Sequence, residues 1–329
     1  VTLRPGAVPP LVPNEVITDA LRAYDLPGPL EVQFLRRGFN DHYEVTRAPD
    51  GQDTRNRQYI MRIYLVDKPY IRGIPDIEDE LKALVVLAKQ GVPVSAPIAR
   101  RDGDFMQTLD SDGHSRPMAL FSYALGEELK GEAIGEEVAR NLGQAIARMH
   151  AVADAHGLGS RRYTLDETFL VDRPVATLRD LLNEDAVGLE AYGEQLKAAL
   201  RALPRTPGLF GFIHADLHSG NFRVLKGRCT LFDFDHGAQG WRAYDLCVLR
   251  MSLPDDSWTA LLDGYRSVRP FTAAEEAALP LLTRVRQLWD VGDFLAMRAS
   301  GAWGDASLSE QGRAQVLEQV LAMQQPPLP

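Results

Sequence analysis

The 329 residues carry 36 Lys and Arg against 45 Asp and Glu, a formal net charge of -9, with 45% hydrophobic residues and only two cysteines, Cys229 and Cys247. That balance excludes a general nucleic-acid binder, which needs clustered cations. Two cysteines outside any CxxC or Cys/His pattern exclude a disulfide framework and a structural zinc site. No run reaches the length of a membrane span and no signal-peptide pattern opens the chain, so a cytoplasmic protein with no membrane partner is expected.

Residues 1–13, with Pro5, Pro9, Pro10 and Pro13, read as an irregular arm. Asn14 is placed as the N-cap of a helix reaching Tyr24, with Val16, Ile17, Ala20 and Leu21 on its apolar side. Pro27-Gly28-Pro29 ends it. Residues 30–35, 43–46 and 58–65 read as strands of an antiparallel meander, joined by residues 36–42 and by a polar turn at 48–53. Helical spacing follows over 76–90 and stops at Gly91. Residues 105–109 and 117–122 add two strands to the same sheet. Past Leu125-Gly126-Glu127 helical periods dominate, at 136–153, 175–203, 241–252, 258–265, 273–288 and 309–323. Pro280 is expected to kink or split the fifth of these. Short strand signals remain at 212–213, 222–225 and 230–234. The periodicity switches near residues 122–126, which predicts an α+β chain: a small β-rich part with one inserted helix, residues 1–122, and a larger, mainly helical part, residues 123–329.

The chemistry concentrates between Gly211 and Asp235, GFIHADLHSGNFRVLKGRCTLFDFD. An apolar approach delivers His214, Asp216, His218 and Asn221, and a short strand ends on Asp233. A lone Asp after a strand is ordinarily a turn former, but here hard oxygen groups recur wherever an apolar segment breaks. One carboxylate to orient and deprotonate a hydroxyl, with an amide oxygen and a second carboxylate to hold a metal against phosphates, is what a magnesium-nucleotide phosphoryl-transfer site requires. In the first part, Arg62 stands mid-strand in Tyr59-Ile60-Met61-Arg62-Ile63-Tyr64, where a charged residue is normally just the outward face of a strand.

The segment IHADLHSGNF with LFDFDHGAQGWRAYDL resembles the catalytic loop and metal-binding segment of the aminoglycoside phosphotransferase and choline kinase superfamily, which has the protein-kinase fold. Within it, the branch of homoserine kinase type II and the stress-response Ser/Thr kinase looks closest. The resemblance implies a two-lobed fold and an enzyme moving the γ-phosphate of ATP, with Mg2+, to a hydroxyl. It implies Asp216 as the catalytic base or orienting carboxylate, Asn221 and Asp233 as metal ligands, and His214 as the residue fixing the loop. Asp245 resembles the buried aspartate that accepts hydrogen bonds from the catalytic-loop backbone. A carboxylate stabilising the first turn of a helix would serve equally at that position. His218 is assigned to the catalytic group and Asp235 to the metal group, although a protein kinase has glycine at the position of Asp235. Arg62 matches by place the Lys that contacts the α- and β-phosphates, with Glu80 as its carboxylate partner and Glu78 as the fallback. The nucleotide-covering loop falls on residues 37–43, with Gly38 and Asn40 as its binding residues. It lacks GxGxxG, so a plain hairpin turn competes with that reading. The hinge for the adenine falls on Phe121, Ser122, Tyr123 and Ala124.

The acceptor expected is a small-molecule hydroxyl: an aminoglycoside, an amino-alcohol or a homoserine-like metabolite. The acidic balance suits a cationic substrate without demanding one. A protein Ser/Thr acceptor is the alternative, and a nucleotide-binding pseudokinase is a third reading that Arg at position 62 mildly favours. His114, His150 and His156 have no ligand-like spacing and read as structural or exposed. Trp289, Asp290, Asp293 and Phe294 read as a packed helix face with a solvated side, against a sharper reading, from the resemblance, as part of a substrate pocket.

Overall fold

The structure is a computed structural model, and it describes residues 9–26, 28–47, 58–65, 70–183, 186–299 and 309–324. The polar turn expected at 48–53 lies outside the described residues. Five antiparallel strands, β1 (Leu30–Arg37), β2 (Asn40–Arg47), β3 (Gln58–Tyr64), β4 (Met106–Ser111) and β5 (His114–Ser122), form a sheet in the order β1-β2-β3-β5-β4. Strand alternation gives the sheet two uses. Tyr43, Val45, Met61, Ile63, Met118 and Leu120 bury one face against α1 (Asn14–Ala20) and Val12. The intervening residues Arg62, Tyr64, Ala119 and Phe121 turn to the other face, beside α2 (Ile74–Lys89) with Ile77, Leu81 and Leu84.

Two local expectations change here. The helix after Pro13 is only seven residues long and continues as a short 3-10 turn, and Asn14 is its first residue rather than its cap. Its side-chain amide donates to the Val32 carbonyl at 3.2 Å, tying the helix to β1. The loop expected at 36–42 is strand: pairing runs to Arg37 opposite Asp41, and the hairpin turns in Gly38 and Phe39.

The larger part is built on helices α3 (Glu136–His156), α4 (Arg173–Leu182), α5 (Leu189–Ala202), α6 (Arg242–Arg250), α7 (Asp255–Arg266), α8 (Ala273–Ala299) and α9 (Glu310–Met323). The helix expected over 175–203 is two. Asn183 and Gly188 both take positive φ, 52° and 80°, which no continuing helix tolerates. Pro280 does not split α8. Its ring lies on the exposed side, while Leu279, Leu282, Val285, Leu288 and Trp289 are buried on the other, and that apolar stripe outweighs one missing hydrogen bond. Close helix packing at α3 and α7 depends on Gly143 and Gly264, where an added Cβ would lie 2.0 Å from the Leu261 and Arg140 carbonyl oxygens. Two small strand pairs carry the polar loops: β6 (Phe210–Ile213) with β9 (Ala238–Trp241), and the hairpin β7 (Phe222–Leu225) with β8 (Arg228–Leu231). None of the described helices is long and apolar enough to cross a membrane.

Candidate active site

β6 buries Phe212 and Ile213 and then releases the chain into a loop whose backbone is pinned from below. Asp245, in the first turn of α6, accepts the His214 and Ala215 amides at 2.9 and 2.7 Å. Asp245 is itself held by His150 Nε2 at 3.0 Å, and His150 Nδ1 meets the Tyr265 hydroxyl at 2.8 Å. Burial pushes the His150 imidazole down to about 4, so at neutral pH it is uncharged. An Nε2–H donor to Asp245 and an Nδ1 acceptor for the tyrosine satisfy all three groups. Burial works against the Asp245 charge, but the His150 hydrogen bond, together with the loop amides, keeps its carboxyl below the ordinary range. The close approach of α3 and α7 is what brings His150 and Tyr265 together.

His214 ties the loop to the next segment. Its Nδ1 accepts from the Asp216 amide at 3.3 Å, which leaves Nε2 to donate to the Phe232 carbonyl at 2.8 Å. His218 Nδ1 accepts the Gly220 amide at 2.9 Å, closing the turn before Asn221, and its Nε2 lies 3.6 Å from Asp216 Oδ2. The Asn221 amide nitrogen donates to the Asp216 carbonyl at 2.8 Å and to Asp216 Oδ2 at 3.2 Å. That leaves the Asn221 amide oxygen without a hydrogen bond among the described residues. Asp233 takes φ 66°, a left-handed conformation costly for a residue with a Cβ, and so turns its carboxylate out of the strand line into the cleft.

On the sheet side, a cavity of about 240 Å³ is lined by Leu35, Ile60, Phe121, Tyr123 and Phe232, with Arg36, His42, Arg62, Arg223 and Asp233 among its polar members. Arg62 is 4% exposed and donates to Glu80 Oε1 at 2.6 Å and to Asp233 Oδ1 at 2.9 Å. Burial opposes its charge, yet the Glu80, Tyr64 and Asp233 oxygens around it hold the guanidinium well above its ordinary value. Glu78, the fallback partner, is instead paired with Lys82 on the helix surface at 3.6 Å. The carbonyl of Ser122 accepts from Ser95 and its amide donates to Ala96, so the strap 95–96 occupies Ser122 and leaves Tyr123 and Ala124 facing the cavity.

On the opposite side of the loop, Asp216 opens onto a second cavity of about 650 Å³ walled by α8 and α9. Arg286 of α8 donates to Asp216 Oδ1 at 2.6 Å and to the Ala215 carbonyl at 2.9 Å, reaches Asp290 Oδ1 at 2.7 Å and lies over the Trp289 ring at 4.8 Å. Burial would raise the Asp216 carboxyl, but Arg286, with His218 behind it, holds it well below the usual carboxylate range. Asp293 and Asp290 line the same cavity, and burial raises both. Asp290 is answered by Arg286. Asp293 has no hydrogen bond or ion pair among the described residues.

The structure therefore brings Asp216, His214, His218, Asn221, Asp233, Arg62 and Glu80 to one seam, with Phe121 and Tyr123 at its far end. Gly38 and Asn40 lie in the β1–β2 hairpin, next to the cavity residues Arg36 and His42, and Asp235 is buried behind Asp233. The Gly38 amide donates to the Asn40 carbonyl at 3.0 Å. The Asn40 side chain is buried, donating to Asp235 Oδ2 at 2.8 Å and accepting from the Leu65 amide at 3.3 Å, and so clasps the hairpin to the segment after Asp233. Arg286 was not singled out from sequence. The one available signal was an arginine on the buried stripe of α8, three residues before Trp289. Of the two readings for His150, structural or exposed, the structure gives the first: it is the buried prop beneath Asp245.

A family model described as a phosphotransferase enzyme family matches residues 32–280. An uncharacterised protein of Deinococcus radiodurans is 35% identical over 88% of this chain and 84% of its own length. A homoserine kinase of Sinorhizobium medicae is 31% identical over 69% of this chain and 67% of its own. Among solved structures, an amicoumacin kinase in complex with AMP-PNP, Ca2+ and Ami superposes with a TM-score of 0.75 at 21% identity, covering 94% of this chain and 92% of that one. This chain belongs to the phosphotransferase enzyme family, and it is a phosphotransferase with an alcohol group as acceptor.

Proposed function

We propose that this phosphotransferase moves the γ-phosphoryl group of ATP to a hydroxyl of a small, amine-bearing molecule. The observation that carries the reading is the position of Asp216 and Asp233 on opposite cavities of one seam, with the unpaired Asp293 in the cavity of Asp216. In this reading residues 1–122 bind the nucleotide and residues 123–329 supply the catalytic loop and the acceptor pocket.

Asp233 and the Asn221 amide oxygen fit magnesium, a hard cation that takes few carboxylates and leaves its other positions to phosphates and water. When bound, the ion would supply positive charge that neutralises the phosphates. The protein residues supply position and charge. Arg62, braced by Glu80, is a fixed cation for the phosphate oxygens. The Asp216 carboxylate, anchored on Oδ1 by Arg286, offers Oδ2 to the acceptor hydroxyl. A carboxylate held this far toward its ionised form is a weak base, so its part is mainly to orient the hydroxyl and take its proton late in the transfer. His214, Asp245 and His150 fix the loop that carries it. Asp293, ionised beside a cationic acceptor, would hold the amine at a distance that presents the hydroxyl to Asp216.

A small acceptor is favoured over a Ser/Thr peptide because the cavity beside Asp216 is walled by α8 and α9 and lined by carboxylates, where a peptide would need an open shelf. The complete set Asp216, Asn221 and Asp233 supports transfer rather than a silent nucleotide-binding scaffold. The test is ADP release with ATP and magnesium against three acceptor sets: amino-alcohols such as homoserine and aminopropanol, alcohols of the same size without the amine, and Ser/Thr peptides. Turnover confined to the amine-bearing set is expected. Turnover of peptides alone would overturn the small-molecule reading, and no nucleotide consumption with any acceptor would overturn the reading as a whole.

A further inference from the structure

We infer that Arg36 is a second phosphate-binding residue of the nucleotide site, aimed into it by a β-bulge. The inference rests on the reading of the sheet-side cavity as the ATP site. The register of β1 and β2 pairs Phe34 with Tyr43 and then Arg36 with His42, so Leu35 is an extra residue without a partner. Without the bulge, alternation would set Leu35 opposite His42 and Arg36 opposite Asp41, whose carboxylate is buried with Arg37 and Arg116 on the other face. One inserted residue moves Arg36 across the sheet, which is what a bulge does to a side chain. Leu35 and Arg36, although adjacent in sequence, both line the cavity.

The guanidinium has donors to give. Its one contact among the described residues is an ion pair with Asp233 Oδ2 at 3.6 Å, and the side chain stays 60% exposed. Arg62, by contrast, is fixed by Glu80 and Asp233. An exposed strand-end cation is ordinarily solvated, and a pair of this kind contributes little to stability. Two features set Arg36 apart: the bulge that points it inward, and the hairpin beside it. That hairpin closes in two residues, with the Gly38 amide already donated to Asn40 and the Phe39 ring packed on Tyr70 and His236. A tight turn of this kind offers few amides to cradle a polyphosphate. A planar guanidinium fork at its base matches phosphate oxygens and supplies what the turn does not.

The experiment is calorimetric titration of the whole chain and of its Arg36→Ala and Arg36→Lys variants with ATP, ADP, AMP and adenosine in magnesium buffer. Arg36→Ala should weaken ATP about tenfold, the scale of one lost charge-assisted contact. ADP should weaken less, adenosine should be unchanged, and Arg36→Lys should recover part of the loss. A loss equal for adenosine and ATP would show a change in the hairpin and overturn the assignment, as would ATP binding unchanged in Arg36→Ala. A wild-type chain that binds none of the four would overturn the nucleotide site itself, and Arg36 with it.

Discussion

The two sides of the Asp216 seam are built in opposite ways. On the nucleotide side the inner polar groups are held firmly. Arg62 lies between Glu80 and Asp233, Asn221 is bonded to both the carbonyl and the carboxylate of Asp216, and the loop amides sit on Asp245. On the acceptor side the cavity is more than twice as large, and its walls come from two helices, α8 and α9. Its most telling group, Asp293, makes no hydrogen bond or ion pair among the described residues, although the charges of Arg173 and Arg286 reach it. The contrast separates two jobs. The donor side must fix charges that are the same in every turnover, whereas the acceptor side keeps a carboxylate free for the part of the substrate that varies.

Substitutions can break or sharpen that contrast. The largest effect is expected at the seam: Asp216→Asn should lower kcat by roughly 10²–10⁴-fold with ATP binding retained, measured by ADP release and nucleotide titration. Turnover near wild type would remove Asp216 from the chemistry. Glu80→Ala comes next and tests the rigidity of the donor side. It leaves Arg62 with Asp233 alone, and loss of one partner of a buried pair should cost about 3 kcal/mol of stability, read by urea unfolding. An unchanged midpoint would mean that the pair does not hold the sheet to α2.

Asp293→Asn should act on the acceptor side only, raising KM for an amine-bearing acceptor about tenfold with KM for ATP unchanged. Because burial raises the Asp293 carboxyl, wild-type KM for that acceptor should climb as pH falls, starting above the ordinary carboxylate range. The Asn variant should lose that dependence. An identical profile in both would exclude Asp293 as the cation's partner.

The last prediction leaves turnover aside and concerns the prop below the loop. The His150 imidazole is depressed from 6.5 to about 4, so the unfolded chain takes up its proton first as pH falls. Its contribution to stability is present above pH 6.5 and is lost as pH falls through 4, by up to about 3 kcal/mol. His150→Gln should flatten the stability profile in that window. An unaltered slope would show that other groups carry the acid sensitivity.

The same division governs what could be read from the sequence. The five strands, the inserted helix and the HxDxHxGN spacing lie in contiguous stretches, so periodicity and motif reach them, and the pairing of Arg62 with Glu80 came from the family resemblance. The hairpin was misjudged because Arg36-Arg37 and Asn40-Asp41-His42 are polar enough to read as loop, while the partners of its buried groups are distant in sequence: Asp235, 195 residues beyond, for Asn40 and Arg116, 75 residues beyond, for Asp41. Arg286 was invisible for a related reason. An arginine on a helix acquires meaning only when a distant loop brings Asp216 under it. Asp290 and Asp293 read as a packed helix face with a solvated side, with a substrate pocket only as the resemblance's sharper reading, and it is α9 that makes that face the wall of a cavity. The split of the helix over 175–203 was foreshadowed only by Asn183 and Gly188, single residues within an otherwise helical spacing.

The central claim is that Asp216 serves a hydroxyl on the acceptor side while the nucleotide occupies the sheet side. The most direct measurement is the product itself: wild type and Asp216→Asn incubated with ATP, magnesium and an amino-alcohol panel, with phosphorylated acceptor and ADP both quantified by mass spectrometry. The account predicts equal amounts of ADP and phosphorylated amino-alcohol from wild type, and roughly 10²–10⁴-fold slower formation of both from Asp216→Asn despite intact ATP binding. Phosphorylated product from the Asn variant at the wild-type rate would contradict it.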